Sequence, residues 1–226
     1  MREIILDTET TGLSVKEGHR IVEIGCIEIE NYLPTKKIFH CYLNPERKVS
    51  QKALEVHGYT DELLADKKKF IDIAEEFLDF IKEKRIIIHN AEFDIAHLNH
   101  ELEIVGKDKI DIKNTLDTLE VARDKFPGSG ASLDALCKKF RIDNSKREKH
   151  TALIDCELLY KVYINLFNQK EPSLDFRSEN EKVIKFDKTK SKEYFKGLVA
   201  PSSEELNDHK NFLKKSLKKN NFLILS

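Results

Sequence analysis

Cysteine is scarce in this chain, and its four cysteines lie far apart. No two of them form a C-x-x-C pair, the spacing typical of structural zinc sites and redox-active disulfides. We interpret them as small buried residues of a protein in a reducing compartment, rather than as a zinc or disulfide set. They are Cys26, Cys41, Cys137 and Cys156.

Long apolar runs are also missing. The 226-residue sequence contains no apolar stretch near 18 residues, the length that a membrane-spanning helix needs. It does not begin with the basic and apolar leader of an exported protein. We therefore expect a cytoplasmic protein with no membrane partner, long enough for one good domain and something smaller.

The chain has no excess of positive charge, since its formal net charge is −1. Residues 168–226 contain 13 Lys and Arg against 9 Asp and Glu, so residues 1–167 carry a net charge of −5. A net-acidic main segment excludes a broad surface for binding duplex nucleic acid. It remains compatible with a site that holds the end of a strand through metal ions.

The order of hydrophobic patterns predicts an α/β fold. Three strands with short connections suggest an antiparallel meander, and strands then alternate with helices, which is typical of a layered domain with a mixed sheet. The predicted strands are 2–6, 20–30, 37–43, 85–89 and about 114–117. The predicted helices are 70–84, 91–105, about 117–126, about 131–140 and about 151–167.

The composition changes after this domain, which we place at 1–168. Residues 169–197 are polar and Lys-rich without clear periodicity, so we predict a linker there. In the tail, 198–226, Ser202 with Glu205 three residues later predicts a capping box at the start of a helix. A lone amphipathic helix cannot build its own core, so we expect it to dock on a partner.

Two carboxylates follow the first apolar run. Asp7 and Glu9 would point to the same side of a strand, because side-chain direction has a period of two. Neighbouring acids repel unless a cation lies between them, and hard oxygen ligands suit Mg²⁺ or Mn²⁺. The alternative is a strand end that runs into an ordinary turn, and this motif alone does not decide between the two.

Two further motifs place polar groups at helix starts. Asp94 would lie in the first turn after the strand at 85–89, where the helix macrodipole favours a carboxylate, so a purely structural role is open. Thr151 is a candidate N-cap, with His150 in the preceding loop and Asp155 inside the helix. A histidine at that position is often structural or solvated.

Together the motifs supply four acids and one histidine. Two-metal phosphodiester hydrolysis needs such a set, because two cations about 4 Å apart hold the attacking and leaving oxygens. A mobile histidine such as His150 suits the role of general base, since its pKa lies near neutrality.

The chain resembles the DEDDh 3′→5′ exonucleases of the ribonuclease H-like superfamily. Three motifs carry the resemblance: Leu6-Asp7-Thr8-Glu9-Thr10-Thr11-Gly12, His89-Asn90-Ala91-Glu92-Phe93-Asp94 and His150-Thr151-Ala152-Leu153-Ile154-Asp155. Within the superfamily it is most similar to the proofreading subunits of bacterial replicative DNA polymerases. Val56-His57-Gly58, Ser132–Cys137 and Ile142–Arg147 also match. The resemblance covers residues 3–167 well and the tail weakly.

The resemblance implies two divalent cations, Mg²⁺ or Mn²⁺, and a role for each site residue. Asp7 would bridge both metals, Glu9 and Asp155 would each help to hold one, and Asp94 would complete the site through water. His150 would be the general base. Asp7, Glu9 and Asp155 would also face the substrate.

The resemblance also implies a pocket for the terminal nucleotide. His57 would contact that nucleotide, with Thr10, Leu13 and Asn90 lining the pocket. Lys52 stands where the family has a substrate-contacting glutamate, which implies either a basic contact or a shifted alignment at that position.

The tail has precedents in the family. Residues 171–176 resemble a peptide that binds the sliding clamp, although a linker with two apolar residues explains them equally well. Residues 198–226 resemble the segment that binds the polymerase catalytic (alpha) subunit. The family further implies a small stabilising subunit as a partner.

The resemblance therefore implies a proofreading 3′→5′ exodeoxyribonuclease that acts on a single-stranded DNA 3′ end. Two alternatives remain open at this point. One is an exoribonuclease that trims RNA 3′ ends, which the motifs alone do not exclude. The other is a catalytically silent structural subunit of the polymerase.

Overall fold

We describe the chain from a computed structural model. The described residues are 2–145, 147, 149–167 and 201–216, with side chains described up to residue 212. They fall into two units, 2–167 and 201–216. The predicted linker at 169–197 and the candidate clamp peptide at 171–176 lie outside the described residues.

The first unit contains five strands and seven α-helices. The strands are β1 Arg2–Thr10, β2 Ile21–Glu30, β3 Leu33–Tyr42, β4 Arg85–Ile88 and β5 Thr115–Asp117. The helices are α1 Gln51–His57, α2 Asp61–Leu64, α3 Phe70–Ile81, α4 Ala91–Ile104, α5 Thr118–Lys125, α6 Leu133–Phe140 and α7 Ala152–Leu166.

The strands form one mixed sheet in the order β3-β2-β1-β4-β5. β1, β2 and β3 pair antiparallel as a meander, whereas β4 and β5 extend the sheet in parallel with β1. The predicted meander and mixed sheet are therefore confirmed. The carboxyl ends of the three parallel strands meet at one edge, which is where α/β sheets bind their ligands.

Helices cover both faces of the sheet, and the strands are apolar on both sides for that reason. On one face, Ile4 and Leu6 of β1 pack with residues of α3 and α4. On the other face, Ile5 packs with residues of α5, α6 and α7. The alternation along β1 continues into Asp7 and Glu9, so these two carboxylates lie on the α7 side.

Helix α7 lies directly against β2 at a glycine. A Cβ added at Gly25 would lie 2.6 Å from the carbonyl carbon of Ala152 and 2.8 Å from the backbone nitrogen of Leu153. Gly25 is also the β2 residue paired with Asp7. The absent side chain therefore allows the first turn of α7 to approach the strand that carries the acids.

The structure adds elements that hydrophobic periodicity did not predict. Helices α1 and α2 are short and lack an apolar stripe, and they begin at the N-cap side chains of Ser50 and Thr60. β3 begins at Leu33 instead of residue 37, and α3 ends at Ile81 instead of residue 84.

The second unit is helix α8, Ser203–Ser216. The predicted capping box is present, because the backbone N–H of Ser202 donates to Glu205 Oε2 at 2.8 Å and that of Glu205 donates to Ser202 Oγ at 3.2 Å. Two large apolar side chains of this helix, Leu206 and Phe212, are exposed. Among the described residues, none of the helices has the length and apolar character needed to cross a membrane.

Candidate active site

One cavity of about 750 Å³ brings the three sequence motifs together. It opens at the carboxyl end of β1, beside the first turns of α4 and α7. All five residues of the predicted catalytic set line it, namely Asp7, Glu9, Asp94, His150 and Asp155. Side chains up to 148 residues apart in the sequence thus share one solvent-accessible space.

The β1 motif also positions the acid of α4. Thr8 points away from Asp7 and Glu9, to the other side of the strand. Its backbone N–H and its hydroxyl both donate to Asp94 Oδ1, at 3.0 and 2.7 Å. Thr8 therefore fixes one oxygen of Asp94.

A carboxylate from β5 fixes the start of α4. The backbone N–H groups of Asn90 and Ala91 donate to the two oxygens of Asp117, each at 3.0 Å. Asn90 adopts the left-handed conformation, with φ 73°. These contacts set the direction in which α4 leaves the sheet, and so the position of Asp94 in its first turn.

The third motif begins at the N-cap of α7. The Thr151 hydroxyl accepts from Ile154 N at 3.4 Å, as the sequence predicted, and Asp155 is buried in the first turns of the helix. His150 lies in the preceding loop with 43% of its side chain exposed. Its backbone N–H donates to Val56 O of α1 at 3.2 Å, which ties this loop to α1.

An arginine of the same loop binds Asp155 through both carboxylate oxygens. Arg147 Nε lies 2.6 Å from Oδ1, and Nη2 lies 2.7 Å from Oδ2. Nη2 is also 2.9 Å from His150 Nδ1, and Nη1 is 2.8 Å from Asp134 Oδ1. His150 Nδ1 also lies 3.3 Å from Asp155 Oδ2. A guanidinium has only donors, so Nδ1 accepts from Arg147 when it carries no proton and donates to Asp155 when it carries one.

A second cavity of about 570 Å³ adjoins the first and shares Thr8, Glu9 and Phe93 with it. Four of the residues expected to meet the terminal nucleotide line this second cavity: Thr10, Leu13, Lys52 and His57. The fifth, Asn90, lines the first cavity instead. Leu13 is 80% exposed at the rim, so its apolar side chain is available for contact with a ligand.

Both ring nitrogens of His57 are used within the protein. Nδ1 accepts from Tyr59 N at 3.0 Å, and Nε2 lies 3.2 Å from Thr10 O. This pattern corresponds to a neutral imidazole, and burial lowers the pKa of His57 in agreement. Any contact with a nucleotide would therefore use the carbon edge or face of the ring.

The buried carboxylate of Glu23 connects the region around His57 with the start of α7. Its Oε2 accepts from the Tyr59 hydroxyl at 2.7 Å and from Ala152 N, the first residue of α7, at 2.9 Å. Its Oε1 lies 2.7 Å from His40 Nε2. Tyr59 in turn stacks on His57 with ring centroids 4.8 Å apart.

Four acidic side chains lie close together in the first cavity. Burial raises the pKa of Asp7 well above its usual range, and the charges of neighbouring acids raise it further. Burial likewise raises the pKa of Glu9 to about 8, with Asp155 and Glu23 contributing. Burial raises the pKa of Asp94 to about 7 despite the hydrogen bonds from Thr8.

Asp155 behaves differently from the other acids. Burial alone would raise its pKa, but the hydrogen bonds from His150 and Arg147 and the charge of Arg147 outweigh that effect and lower it. Asp155 is therefore the carboxylate that already has a cationic partner within the protein. The other three acids gain no comparable partner from the described part of the chain.

The donor set fits divalent cations. Glu9, His150 and Asp155 each offer a ligand atom, and these atoms lie within 4.8 Å of one another. Carboxylate oxygens are the ligands that Mg²⁺ and Mn²⁺ prefer. Burial, and to a smaller extent repulsion between the acids, disfavours the charged carboxylates, and bound cations would offset both effects. Two of the acids lie on β1 and the others on two helices, so the protein holds the carboxylates together whatever occupies the space between them.

The raised pKa of Glu9 predicts a loss of stability with increasing pH when metal is chelated. The folded carboxyl keeps its proton to about pH 8, whereas the unfolded one loses it near 4.5, so the folded state binds more protons in between. In EDTA, from pH 7.0 to 8.5, we expect the free energy of unfolding to fall by about 1 kcal/mol. Urea denaturation at both pH values measures this.

The matched control for the pH effect is Glu9→Gln, which cannot titrate at this position. Its stability should fall less between the two pH values than that of the wild type, and excess Mg²⁺ should reduce the slope of the wild type to the same level. Equal slopes in EDTA for both proteins would contradict the prediction.

The exonuclease family (RNase_T) matches residues 4–163 of this chain. The DNA polymerase III subunit epsilon of Rickettsia typhi is 46% identical over 227 residues, which cover 96% of this chain and 97% of the relative. The chain belongs to the epsilon-subunit family of exonucleases. The corresponding subunit of Escherichia coli K12 is 45% identical over 188 residues, covering 80% of this chain and 76% of the relative.

Solved exonuclease structures have the same fold as this chain. Exonuclease X in complex with 5′ overhanging duplex DNA superposes with a TM-score of 0.56 at 24% identity, over 74% of this chain and 92% of that one. The nuclease domain of 3′hExo, a DEDDh family member bound to rAMP, superposes with a TM-score of 0.65 at 17% identity. The match covers 75% of this chain and 92% of that one. The predicted ribonuclease H-like fold and the exonuclease family are both confirmed, and DEDDh exonucleases depend on divalent metal.

Three residues of the epsilon-family site were not assigned a role from the sequence. Arg147 stood within a matching stretch without a role, and only its three-residue distance from His150 could have drawn attention to it. Glu23 lies on a predicted strand. The alternation of side chains along that strand does not reveal that this acid is buried. Phe93, which lines both cavities, belonged to the second motif without an assigned contact.

Proposed function

We propose that this chain removes nucleotides one at a time from the 3′ end of single-stranded DNA and releases 5′-mononucleotides, as the proofreading subunit of a replicative polymerase. The observation that carries the proposal is the meeting of the five motif side chains in one cavity. The relatives named DNA polymerase III subunit epsilon support it. The proposed activity belongs in the bacterial cytoplasm.

The proposed cofactors are two Mg²⁺ or Mn²⁺ ions. Asp7 would bridge them, Glu9 and Asp155 would each help to hold one, and Asp94 would complete the site through water. When bound, these ions supply positive charge to the scissile phosphate and lower the pKa of a bound water. The hydrogen bond from Thr8 fixes one oxygen of Asp94 and so holds this carboxylate in position.

His150 is the proposed general base. Its loop position leaves the ring 43% exposed in the cavity, so a water that attacks the phosphate can reach it. The ring takes a proton from the water as the new P–O bond forms. The bond to the 3′ oxygen of the preceding nucleotide then breaks, and that oxygen becomes the new 3′ end once protonated.

Proofreading follows from the energetics of the DNA end. The site accepts an unpaired strand end, and a mismatched terminus frays at lower cost than a paired one. The second cavity, with Leu13, His57 and Lys52 around it, is proposed to receive the terminal nucleotide. A mismatched end should therefore reach the site more often than a matched one.

Digestion of labelled strands tests the activity. A primer with a mismatched 3′ end, the same primer fully paired and an RNA of equal length would be incubated with the chain and Mg²⁺. Stepwise loss from the DNA 3′ end, faster for the mismatch, is expected. Preferred cleavage of RNA would favour the RNA-trimming alternative, and no cleavage of either would favour a structural subunit.

The proposed partner of the tail, 198–226, is the polymerase catalytic subunit. Helix α8 is capped by Ser202 and Glu205, and its large side chains Leu206 and Phe212 are exposed, as expected of a helix that docks. We further propose the division into an exonuclease domain at 1–168, a linker at 169–197 and this tail. The sliding clamp, through 171–176, and a small stabilising subunit are the other proposed partners.

Leu206→Glu with Phe212→Glu is expected to weaken binding to the catalytic subunit by at least about a hundredfold, because two apolar anchors are lost. Surface plasmon resonance with the immobilised catalytic subunit measures this. Lys210→Glu on the same helix is the control for added negative charge. Digestion of free primer should be unchanged in each variant, and unchanged binding of the double variant would contradict the docking role.

A further inference from the structure

One buried ion pair in the first cavity involves a residue that the proposed reaction does not use. The Arg147 side chain is only 8% exposed, and its guanidinium contacts both oxygens of Asp155 in the parallel geometry that gives the strongest protein hydrogen bonds. Asp155 is 4% exposed, so water screens the pair weakly. Both partners of this contact lie inside the proposed site.

The contact and a metal ion need the same carboxylate. A ligand oxygen of Asp155 lies within 4.8 Å of ligand atoms of Glu9 and His150, so a divalent cation at this position would stand next to the guanidinium. Two cations on one buried carboxylate repel each other strongly. The guanidinium and the metal therefore cannot both occupy Asp155 at full strength.

We propose that Arg147 competes with a divalent cation for the Asp155 carboxylate, so that the guanidinium must leave Asp155 before the cation binds there. Arg147 thereby sets the metal affinity of the site. The inference rests on the proposed metal-dependent function and adds a regulating residue to it. Asp134, which is 56% exposed and already contacts Nη1, gives the displaced guanidinium a partner.

Displacement would also free the histidine. The guanidinium nitrogen Nη2 that contacts Asp155 lies 2.9 Å from His150 Nδ1, so one movement of Arg147 releases both groups. The general base thus becomes available when the metal arrives. Arg147 is a positioning residue in this scheme, since it acts through Asp155 and His150.

Direct Mn²⁺ binding to the full chain tests the competition, by titration calorimetry without substrate. Arg147→Gln is expected to bind Mn²⁺ about tenfold more tightly than the wild type, within the usual range of coupling between two sites. Arg147→Lys keeps the charge but loses the bidentate contact, so its Mn²⁺ affinity should lie between those of the wild type and Arg147→Gln. The control is Arg123→Gln, which removes an exposed arginine of the same cavity and should change the affinity less than about twofold.

Equal or weaker Mn²⁺ binding by Arg147→Gln would overturn the proposal and make Arg147 a support for Asp155. An equal gain in Arg123→Gln would also overturn it, because the effect would then be one of net charge. If neither the wild type nor any variant bound Mn²⁺, the proposed metal site itself would be refuted. If Arg147→Gln bound Mn²⁺ with the same affinity as the wild type, only the proposed competition would be refuted.

A measurement on the wild type covers the case in which the variants do not fold. The Nε–H signal of Arg147, followed by ¹⁵N NMR during a Mg²⁺ titration, should lose its protection from solvent exchange. The midpoint should coincide with that of Mg²⁺ binding. A signal that stays protected while Mg²⁺ binds would overturn the proposal.

Discussion

Replacing Asp7 with asparagine is expected to lower the rate of nucleotide release by about a thousandfold or more while making the protein more stable. The carboxamide keeps the shape of the side chain but removes the charge that the proposed bridging role needs, and a thousandfold loss corresponds to about 4 kcal/mol of transition-state stabilisation. Single-turnover digestion of a mismatched primer with saturating Mg²⁺ measures the rate.

The gain in stability has the same origin as the loss of activity. Burial and the nearby acids raise the pKa of Asp7, so its charged form is a source of strain in the folded state. In EDTA at pH 8, Asp7→Asn should increase the free energy of unfolding by on the order of 1 kcal/mol. Thermal unfolding measures the change.

Asp79→Asn serves as the control, since Asp79 is an exposed acid on α3 outside both site cavities. It should alter neither activity nor stability by a measurable amount. Rapid digestion by Asp7→Asn would refute the proposed role of Asp7. A lower stability of that variant would show that the acids of this site do not repel one another as described.

Gly25→Ala is expected to damage both stability and catalysis. The added methyl group would lie 2.6 Å from the backbone of Ala152, so either the strand or the first turn of α7 must move. Overpacking of this kind costs roughly 1–3 kcal/mol. Because α7 carries Asp155, a displacement of about 1 Å should reduce the cleavage rate about a hundredfold.

Gly106→Ala provides the comparison for Gly25→Ala. Gly106 has φ +67° with nothing within 4 Å of an added Cβ, so alanine there should cost only about 1 kcal/mol of backbone strain. Urea denaturation and primer digestion, both well below the melting temperature, separate the two effects. Full activity in folded Gly25→Ala would mean that the contact between α7 and β2 does not position Asp155.

The parts of the site that follow from local rules were predictable from the sequence. The period of two along β1 put Asp7 and Glu9 on one side, and an N-cap at Thr151 separated His150 from Asp155. Each of these statements needs only a few neighbouring residues. The same holds for the capping box at Ser202, which a spacing of three residues is enough to predict.

Features that depend on how elements pack were not predictable. The bidentate contact of Arg147 joins a loop to a helix, and the close approach at Gly25 joins a strand to a helix 127 residues later. No spacing rule connects these partners. Helix α1 escaped prediction for a different reason, since it is held by its Ser50 cap and by contacts with the His150 loop rather than by an apolar stripe.

The buried carboxylate of Glu23 has a consequence for how this enzyme can change over evolutionary time. One side chain supports both Tyr59, which stacks on the proposed nucleotide-binding His57, and the first residue of α7, which leads to Asp155. Substitutions that reshape the nucleotide pocket will therefore alter the speed of cleavage as well, because the two regions share one anchor. Selectivity and turnover in this fold are expected to evolve as linked traits, and variants that improve one alone should be rare.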